Sequence, residues 1–392
     1  MVPVSRYLPR PLALSLVGML AIIALGGAPA VLPRVGICTA GWLPGDAGLD
    51  TGPYVQDVTA TSAVVRWWNE HDEAGVFTFE PEGGERTEIA PTGGALREVE
   101  LTGLRPGARY EYRVDGEAGD RSGGFRTDPG PDATVTVGVV GDSGTGSGAQ
   151  FAVGRVLTGI APDLVLHTGD VIYPDGSLCD YGRGFFEPYA EVLPWAPVYP
   201  TVGNHDLEDA DGTPYDRVFA LPAREPGETN RTYAFTYGPL RVVVADSERY
   251  ETGDEAGIAA QRAWLESELA LGRDRPWTIV VVHRPLYTST AGKDVPALRE
   301  DLAPMFARYG VDLVLSGDVH SYERFHPIDG VTYVVSGGGG AELHDDLTPG
   351  PRTAAAAVAY HAVRIVAGPD SLRLEAIDRD GEVLDRVDLR GQ

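Results

Sequence analysis

Five short polar loops in this 392-residue chain each follow an apolar run and carry side chains that can bind metals. Four of the loops begin with Gly-Asp or Gly-Asn, where glycine permits a sharp turn and a close backbone approach. Carboxylates, imidazoles, an amide oxygen and a phenol, without a thiolate, suit iron, manganese or zinc. The side chains concerned are Asp142, Asp170, Tyr173, Asn204, His205, His283, Asp318 and His320.

The elements that must position these loops are strands and helices in alternation. Apolar, β-branched runs predict strands at Thr134–Val140, Leu164–His167, Val198–Val202, Trp277–Val282 and Val311–Ser316, each ending at one of the loops. Helical periodicity predicts helices at Ala256–Leu271 and Val295–Tyr309, and the tail predicts strands at His361–Ala367, Leu372–Ile377 and Val383–Leu389. This alternation indicates an α/β domain. Since ligands gather at the carboxyl ends of strands in such sheets, we expect the five loops to converge.

Residues 53–128 have a different pattern, with short strands separated by glycine-rich turns. Leu104–Gly107 followed by Tyr110 is typical of the tyrosine corner of β-sandwiches, in which a tyrosine hydroxyl bonds back to the preceding turn. The segment resembles a fibronectin type III module. Asp128–Pro131 then predicts a linker to the α/β domain.

The five loops together resemble the sequence blocks of the calcineurin-like metallophosphoesterases, in particular the purple acid phosphatases. Tyr173, three residues after Asp170, and the preceding fibronectin-like module are typical of that subtype. The resemblance implies a two-sheet α/β/β/α sandwich metallophosphoesterase domain at residues 132–392, behind the all-β sandwich. The blocks are Gly141–Gly144, Gly169–Tyr173, Gly203–Asp206, Val280–His283 and Gly317–His320.

The resemblance also implies two metal ions and a role for each site residue. Asp142, Asp170, Tyr173 and His320 would hold ferric iron; Asp170 would bridge; and Asn204, His283 and Asp318 would hold a divalent manganese, iron or zinc ion. A metal-bound hydroxide would attack a phosphomonoester, so no serine nucleophile is needed. His205 would face the phosphate and protonate the leaving oxygen, with Asp206 available to orient its ring.

Two cations are candidate phosphate ligands. Lys293, the chain's single lysine, stands where plant members place phosphate-binding histidines, and it can bind an oxygen as a point charge or be a solvated loop residue. Arg324 follows His320 closely, although its neighbour Glu323 is a possible salt-bridge partner.

Asp318 departs from the family pattern, which has histidine at that position. A ferric and a divalent ion carry five positive charges, which four anionic ligands and a hydroxide would cancel, so the net charge of the cluster would be zero. With histidine in place of Asp318, the net charge would be plus one. We expect a less acidic bound water and a preference shifted from zinc toward manganese, iron(II) or calcium. The alternative is that Asp318 turns away and leaves one ion.

Residues 1–30 predict an export signal, with Arg6 and Arg10 before an apolar run and Ala28-Pro29-Ala30 at a plausible cleavage point. An uncleaved membrane anchor is the alternative. Residues 31–52, which follow this segment, are predicted to form a tether. We expect a secreted, periplasmic or cell-surface protein. In that environment a Cys38–Cys179 disulfide is permitted, and two unpaired thiols are the alternative.

The net charge of −25 argues against a nucleic-acid partner, because such binders carry a basic face. The leading prediction is a phosphomonoesterase of acid phosphatase type. A phosphodiesterase or phospholipase-like enzyme is the nearer alternative, and a catalytically silent surface binding protein is the more distant one. The sequence leaves the oligomeric state undetermined.

Overall fold

A computed structural model describes residues 49, 51–69, 76–115, 121–222, 231–271 and 275–390. The predicted signal segment lies outside the described residues. Among the residues described, no helix is both long and apolar enough to cross a membrane. Cys179 is disulfide-bonded, which excludes two unpaired thiols, while Cys38 lies outside the described part of the chain.

The N-terminal region is an all-β sandwich of two antiparallel sheets, in the orders β1-β2-β6-β5 and β4-β3-β7-β8. The predicted tyrosine corner is confirmed, since the Tyr110 hydroxyl accepts a hydrogen bond from the Arg105 amide at 2.9 Å. Strand β1 begins two residues before the predicted start of this region. The strands are β1 (Thr51–Gln56), β2 (Ser62–Trp68), β3 (Val76–Pro81), β4 (Thr87–Ile89), β5 (Thr92–Gly93), β6 (Leu96–Thr102), β7 (Arg109–Asp115) and β8 (Arg121–Arg126).

The described residues from 135 onward form two mixed sheets. Their strands are β9 (Val135–Val140), β10 (Leu164–His167), β11 (Val198–Pro200), β12 (Tyr233–Tyr237), β13 (Leu240–Val244), β14 (Trp277–Val281), β15 (Leu313–Ser316), β16 (Tyr322–Phe325), β17 (Thr332–Ser336), β18 (Thr353–Ala357), β19 (His361–Ala367), β20 (Ser371–Asp378) and β21 (Val383–Arg390). One sheet has the order β11-β10-β9-β19-β20-β21, and the other has the order β12-β13-β14-β15-β17-β16-β18.

Helices cover the outer faces of the two sheets. Along β14, Val280 packs into a cluster with Leu265 and Leu298, whereas Ile279 and Val281 belong to the core cluster on the opposite face. This alternation is the two-residue period of a strand buried on both faces. The predicted α/β/β/α class is therefore confirmed. The helices are α1 (Gly148–Ile160), α2 (Thr213–Val218), α3 (Glu248–Thr252), α4 (Glu255–Leu271) and α5 (Pro296–Tyr309).

The β-sandwich packs directly on the α/β region through buried and partly buried hydrogen bonds. The Val58 amide donates to the Tyr199 hydroxyl at 3.0 Å, and the Tyr54 hydroxyl donates to the Val218 carbonyl at 3.0 Å. The Tyr112 hydroxyl reaches the carbonyl of Pro194 at 2.7 Å. These bonds fix the sandwich against the α/β sheets.

Candidate metal centre

The carboxyl ends of parallel strands bring the predicted loops together. Strands β9, β10 and β11 are parallel neighbours in one sheet, and β14 and β15 are parallel neighbours in the other. Asp142, Asp170 and Asn204 follow the first three strands, and His283 and Asp318 follow the last two. Ligand sites occupy this edge of α/β sheets, as the sequence predicts.

The three ligand-like aspartates share a rare backbone conformation. Asp142, Asp170 and Asp318 have φ values of 53°, 51° and 62°, in the left-handed region. Non-glycine residues with such angles cluster at functional sites, where the surrounding structure maintains them. A Cβ atom added at Gly203 would collide with the Asp170 carboxylate, and one at Gly317 would lie 2.5 Å from Asp142 Oδ2. The loops therefore need glycine beside the carboxylates.

Asp142, Asp170 and His283 form the centre of the cluster, with ligand atoms that all lie within 4.8 Å of one another. All three side chains are buried. Burial raises the pKa of the Asp142 carboxyl. Burial also acts to raise the pKa of Asp170, but the charges and hydrogen bonds of His283 and His205 together outweigh it and lower that pKa. Such closely packed, water-excluded donors need a positive charge among them.

The two histidines predicted as metal ligands are held by backbone carbonyls. Nδ1 of His283 donates to Thr168 O at 2.8 Å, and Nδ1 of His320 donates to Glu342 O at 2.6 Å. A carbonyl can only accept, so each Nδ1 carries the hydrogen. The Nε2 atoms then face carboxylates, 3.5 Å from Asp170 Oδ1 for His283 and 3.5 Å from Asp142 Oδ1 for His320. This is the usual way in which a protein orients a metal-binding imidazole.

Tyr173 lies between the first-site candidates. Its hydroxyl is 2.9 Å from Asp170 Oδ2, 3.0 Å from His320 Nε2 and 3.4 Å from Asp142 Oδ1. Burial and the charges of the two aspartates raise the pKa of Tyr173 well above its ordinary value. The four side chains predicted to hold the first ion thus meet around the Tyr173 oxygen.

Asp318 turns into the cluster and contacts two cations. Its Oδ1 atom accepts from Arg284 Nη1 at 2.8 Å and from Lys293 Nζ at 3.1 Å, and it lies 4.0 Å from His283 Nε2. Its Oδ2 atom is buried without a hydrogen-bond partner among the described residues. Burial acts to raise the pKa of Asp318, but the neighbouring cationic charges lower it below its usual value.

His205 lies beside the cluster with its ring 4.4 Å from that of Tyr173. Its Nδ1 atom is hydrogen-bonded to Pro174 O. The prediction that Asp206 orients this ring is wrong. Asp206 is fully buried and accepts backbone N–H bonds from Val171 and Gly203, both at 2.9 Å, so it stabilises the loops instead.

Arg324 is not available as a phosphate clamp. Its guanidinium forms a two-point ion pair with Asp385 on β21, at 2.6 and 3.0 Å, and this corrects the prediction. Glu323 is not its partner, because that carboxylate accepts from the Ser289 amide at 2.8 Å. Ser143 is buried with its hydroxyl 2.9 Å from His167 Nε2.

Three residues that lie beside the centre were not predicted from the sequence. Arg284 Nη2 donates to Asn204 Oδ1 at 2.9 Å. Arg284 Nε, on the same guanidinium, donates to Glu248 Oε1 at 3.0 Å. His344 stacks on His320 with ring centroids 4.1 Å apart and accepts from the His320 amide at 3.2 Å. The position of Arg284 directly after His283 was the only sequence signal for any of them.

The residues present fit two metal ions. Asp318 Oδ2 is buried without a hydrogen-bond partner among the described residues, and the Nε2 atoms of His283 and His320 face carboxylates, so all three atoms are placed where they could bind an ion. Oxygen and imidazole donors without thiolate suit iron, manganese and zinc. Asp170 stands between the two groups, with Oδ2 toward Tyr173 and Oδ1 toward His283.

Comparisons with known proteins agree with this fold. Residues 135–322 match the model of the calcineurin-like phosphoesterase family. Purple acid phosphatase 23 of Arabidopsis thaliana is 27% identical over 360 residues, covering 76% of this chain and 75% of that protein. Probable purple acid phosphatase 20 of the same plant is 29% identical over 248 residues, and the aligned part spans 59% of this chain but only 56% of that relative.

Solved structures show the same architecture. A purple acid phosphatase from yellow lupin (Lupinus luteus) seeds superposes with a TM-score of 0.74 at 22% identity, covering 86% of this chain and 74% of that one. PhoD superposes with a TM-score of 0.64 at 15% identity, covering 90% and 94%. The predicted resemblance to purple acid phosphatases is confirmed.

Proposed function

We propose that this chain is an exported, dinuclear metal-dependent phosphomonoesterase of acid phosphatase type. The observation that carries the proposal is the buried group of Asp142, Asp170 and His283, whose ligand atoms lie within 4.8 Å of one another. Purple acid phosphatase relatives support two ions rather than one.

In this proposal Asp142, Asp170, Tyr173 and His320 hold a ferric ion. Asp170 is shared with a divalent ion of manganese, iron or zinc. When bound, two such ions neutralise phosphate oxygens and make a bound water more acidic. The residues that complete the second site are Asn204, His283 and Asp318.

His205 is the proposed general acid. Because Pro174 O accepts from Nδ1, the exchangeable proton on the imidazolium is carried by Nε2, the atom left for the leaving oxygen. Glu208 Oε1 lies 3.6 Å from Nδ1 and forms an ion pair with the protonated ring. The side chain is about one-third exposed, as a group that must meet substrate requires.

Export is the proposed location, supported by the charged and apolar pattern of residues 1–30 and by the disulfide bond at Cys179. Disulfide bonds persist mainly outside the cytoplasm.

The ratio of turnover on p-nitrophenyl phosphate to turnover on bis(p-nitrophenyl) phosphate tests the proposal. We expect the monoester to be hydrolysed at least about tenfold faster, by protein purified without chelators. A preference for the diester would favour the phosphodiesterase or phospholipase-like alternative. Metal-loaded protein that hydrolyses neither ester would favour a silent binding protein. Asp170→Asn is the matched inactive control, because it keeps the side-chain volume while removing the shared charge.

A further inference from the structure

Two cations of the chain bind the ligand atoms of the proposed second metal site. Arg284 Nη1 lies 2.8 Å from Asp318 Oδ1, and Arg284 Nη2 lies 2.9 Å from Asn204 Oδ1. Lys293 Nζ lies 3.1 Å from the same Asp318 Oδ1 and 3.1 Å from the Asp318 carbonyl. The guanidinium therefore joins two oxygens that a second ion would also need.

Arg284 is held in this position by groups that are not metal ligands. Glu248 is buried, and its two carboxylate oxygens lie 3.0 Å from Arg284 Nε and 3.1 Å from Nη2. The Arg284 amide donates to Ser247 Oγ at 2.9 Å. A planar guanidinium fixed on one edge presents its other N–H groups in a defined direction, here toward Asp318 and Asn204.

Lys293 contributes in a different way. It is the chain's single lysine, its side chain is 31% exposed, and Asp318 is its ion-pair partner. An ammonium on a flexible stem can leave the carboxylate without disturbing the fold. Its departure costs the attraction to Asp318 but restores its hydration.

We propose that Arg284 and Lys293 are internal competitors of the second metal ion. They neutralise the extra negative charge that Asp318 brings, and they contact Oδ1 of Asp318 and Oδ1 of Asn204, which lowers the affinity of that site. In the proposed first site, the hydrogen bonds of Tyr173 and His320 go to other residues and not to Arg284 or Lys293. Ion binding is therefore sequential, with a strong first step and a weak second step. This inference rests on the proposed function.

Metal titration of the full chain tests the competition. Protein stripped with a chelator is dialysed against increasing Mn²⁺, and bound ions per chain are counted by elemental analysis. We expect one ion to bind at least about tenfold more tightly than the second. Asp318→Asn should abolish binding of the second, weaker ion, and that loss would assign the weak step to the site that contains Asp318. Two ions of equal affinity would overturn the inference.

Removing one competitor should strengthen the second step. Lys293→Gln should lower the second dissociation constant by about three- to tenfold and leave the first unchanged. The matched control is Arg299→Gln, a cation of similar exposure (29%) that pairs with Asp294 on the surface. Arg284→Met combined with Glu248→Gln removes the guanidinium without leaving a buried carboxylate unpaired. An unchanged or weaker second step in both the Lys293 variant and the double variant would overturn the inference.

Ion counts do not depend on a phosphoester. A chain that shows the two steps but hydrolyses no ester would contradict the proposed function and retain the competition. A chain that hydrolyses p-nitrophenyl phosphate with two equally tight ions would contradict the competition alone.

Discussion

Nδ1 of His205 is hydrogen-bonded to the carbonyl oxygen of Pro174, and the imidazole lies against the ring of Tyr173. The bond fixes which ring nitrogen carries the permanent hydrogen, so Nε2 is the atom that exchanges a proton with substrate. Asp206, which the sequence suggested as the group that orients this ring, instead accepts hydrogen bonds from the backbone amides of Val171 and Gly203. A backbone carbonyl thus orients the proposed acid.

His205→Gln should slow turnover most for substrates with poor leaving groups. General acid catalysis contributes about 10²–10⁴-fold, and it matters most when the departing oxygen is strongly basic. We expect kcat for an alkyl phosphate to fall at least about 100-fold and kcat for p-nitrophenyl phosphate to fall less. His326→Gln, at an exposed position, is the matched control. Equal losses on both substrates would argue against proton donation by this residue.

Tyr173→Phe should remove visible colour from iron-loaded protein. A phenolate bound to ferric iron absorbs by charge transfer, and the Tyr173 oxygen lies among the three other first-site residues. We expect a pink to purple parent and a colourless variant, measured by the visible spectrum at matched iron content. Tyr309→Phe on α5 is the control. A colourless parent with full iron, or a coloured Tyr173→Phe variant, would remove this tyrosine from the ligand set.

Asp318→His should increase turnover supported by zinc relative to manganese. The substitution replaces an anionic oxygen donor by a neutral nitrogen, which favours zinc and raises the charge of the cluster by one. The measurement is the ratio of kcat with Zn²⁺ to kcat with Mn²⁺ after chelator treatment, expected to rise at least about threefold over the parent. An unchanged ratio would mean that Asp318 does not ligate.

Acidification should destabilise the fold through His361. The ring is fully buried, with Nδ1 donating to Ala359 O and Nε2 beside Ser336 Oγ at 3.0 Å, and burial lowers its pKa from 6.5 to about 4. The unfolded chain gains a proton as the pH falls through about 6.5 while the native ring stays neutral until about 4. Stability is therefore lost within that window, by about 2 kcal/mol at pH 5.

Urea unfolding of the parent and of His361→Gln at pH 7 and pH 5 measures this contribution. We expect the variant to be less stable at pH 7 and to lose about 2 kcal/mol less than the parent on acidification. His326→Gln should keep the parental loss. The idea fails if His361→Gln retains the full pH dependence.

Strand ends were the part of the fold that the sequence predicted best. Leu164–His167 and His361–Ala367 coincide with β10 and β19, because each predominantly apolar run is followed by a glycine-containing loop that ends the strand. Helix α1 (Gly148–Ile160) was missed, since glycines surround its start. The structure reveals its signal, a Ser147 cap that accepts from the Gln150 amide at 3.2 Å.

Site residues within the motifs could be predicted, whereas their distant partners could not. Arg324 binds Asp385, 61 residues further along the chain, and Glu248 binds Arg284, 36 residues away. Such pairings arise when strands from separate parts of the chain become neighbours. A linear pattern offered only the adjacent Glu323 as a partner for Arg324.

The most direct test of the central claim is the hydrolysis of p-nitrophenyl phosphate by one preparation before chelation, after chelation and after metal return. The account predicts activity that disappears when ions are removed, returns when iron and a divalent ion are supplied, and is absent throughout from Asp170→Asn. Full activity in chelator-stripped, metal-free protein, or parental activity in the Asp170→Asn variant, would contradict it.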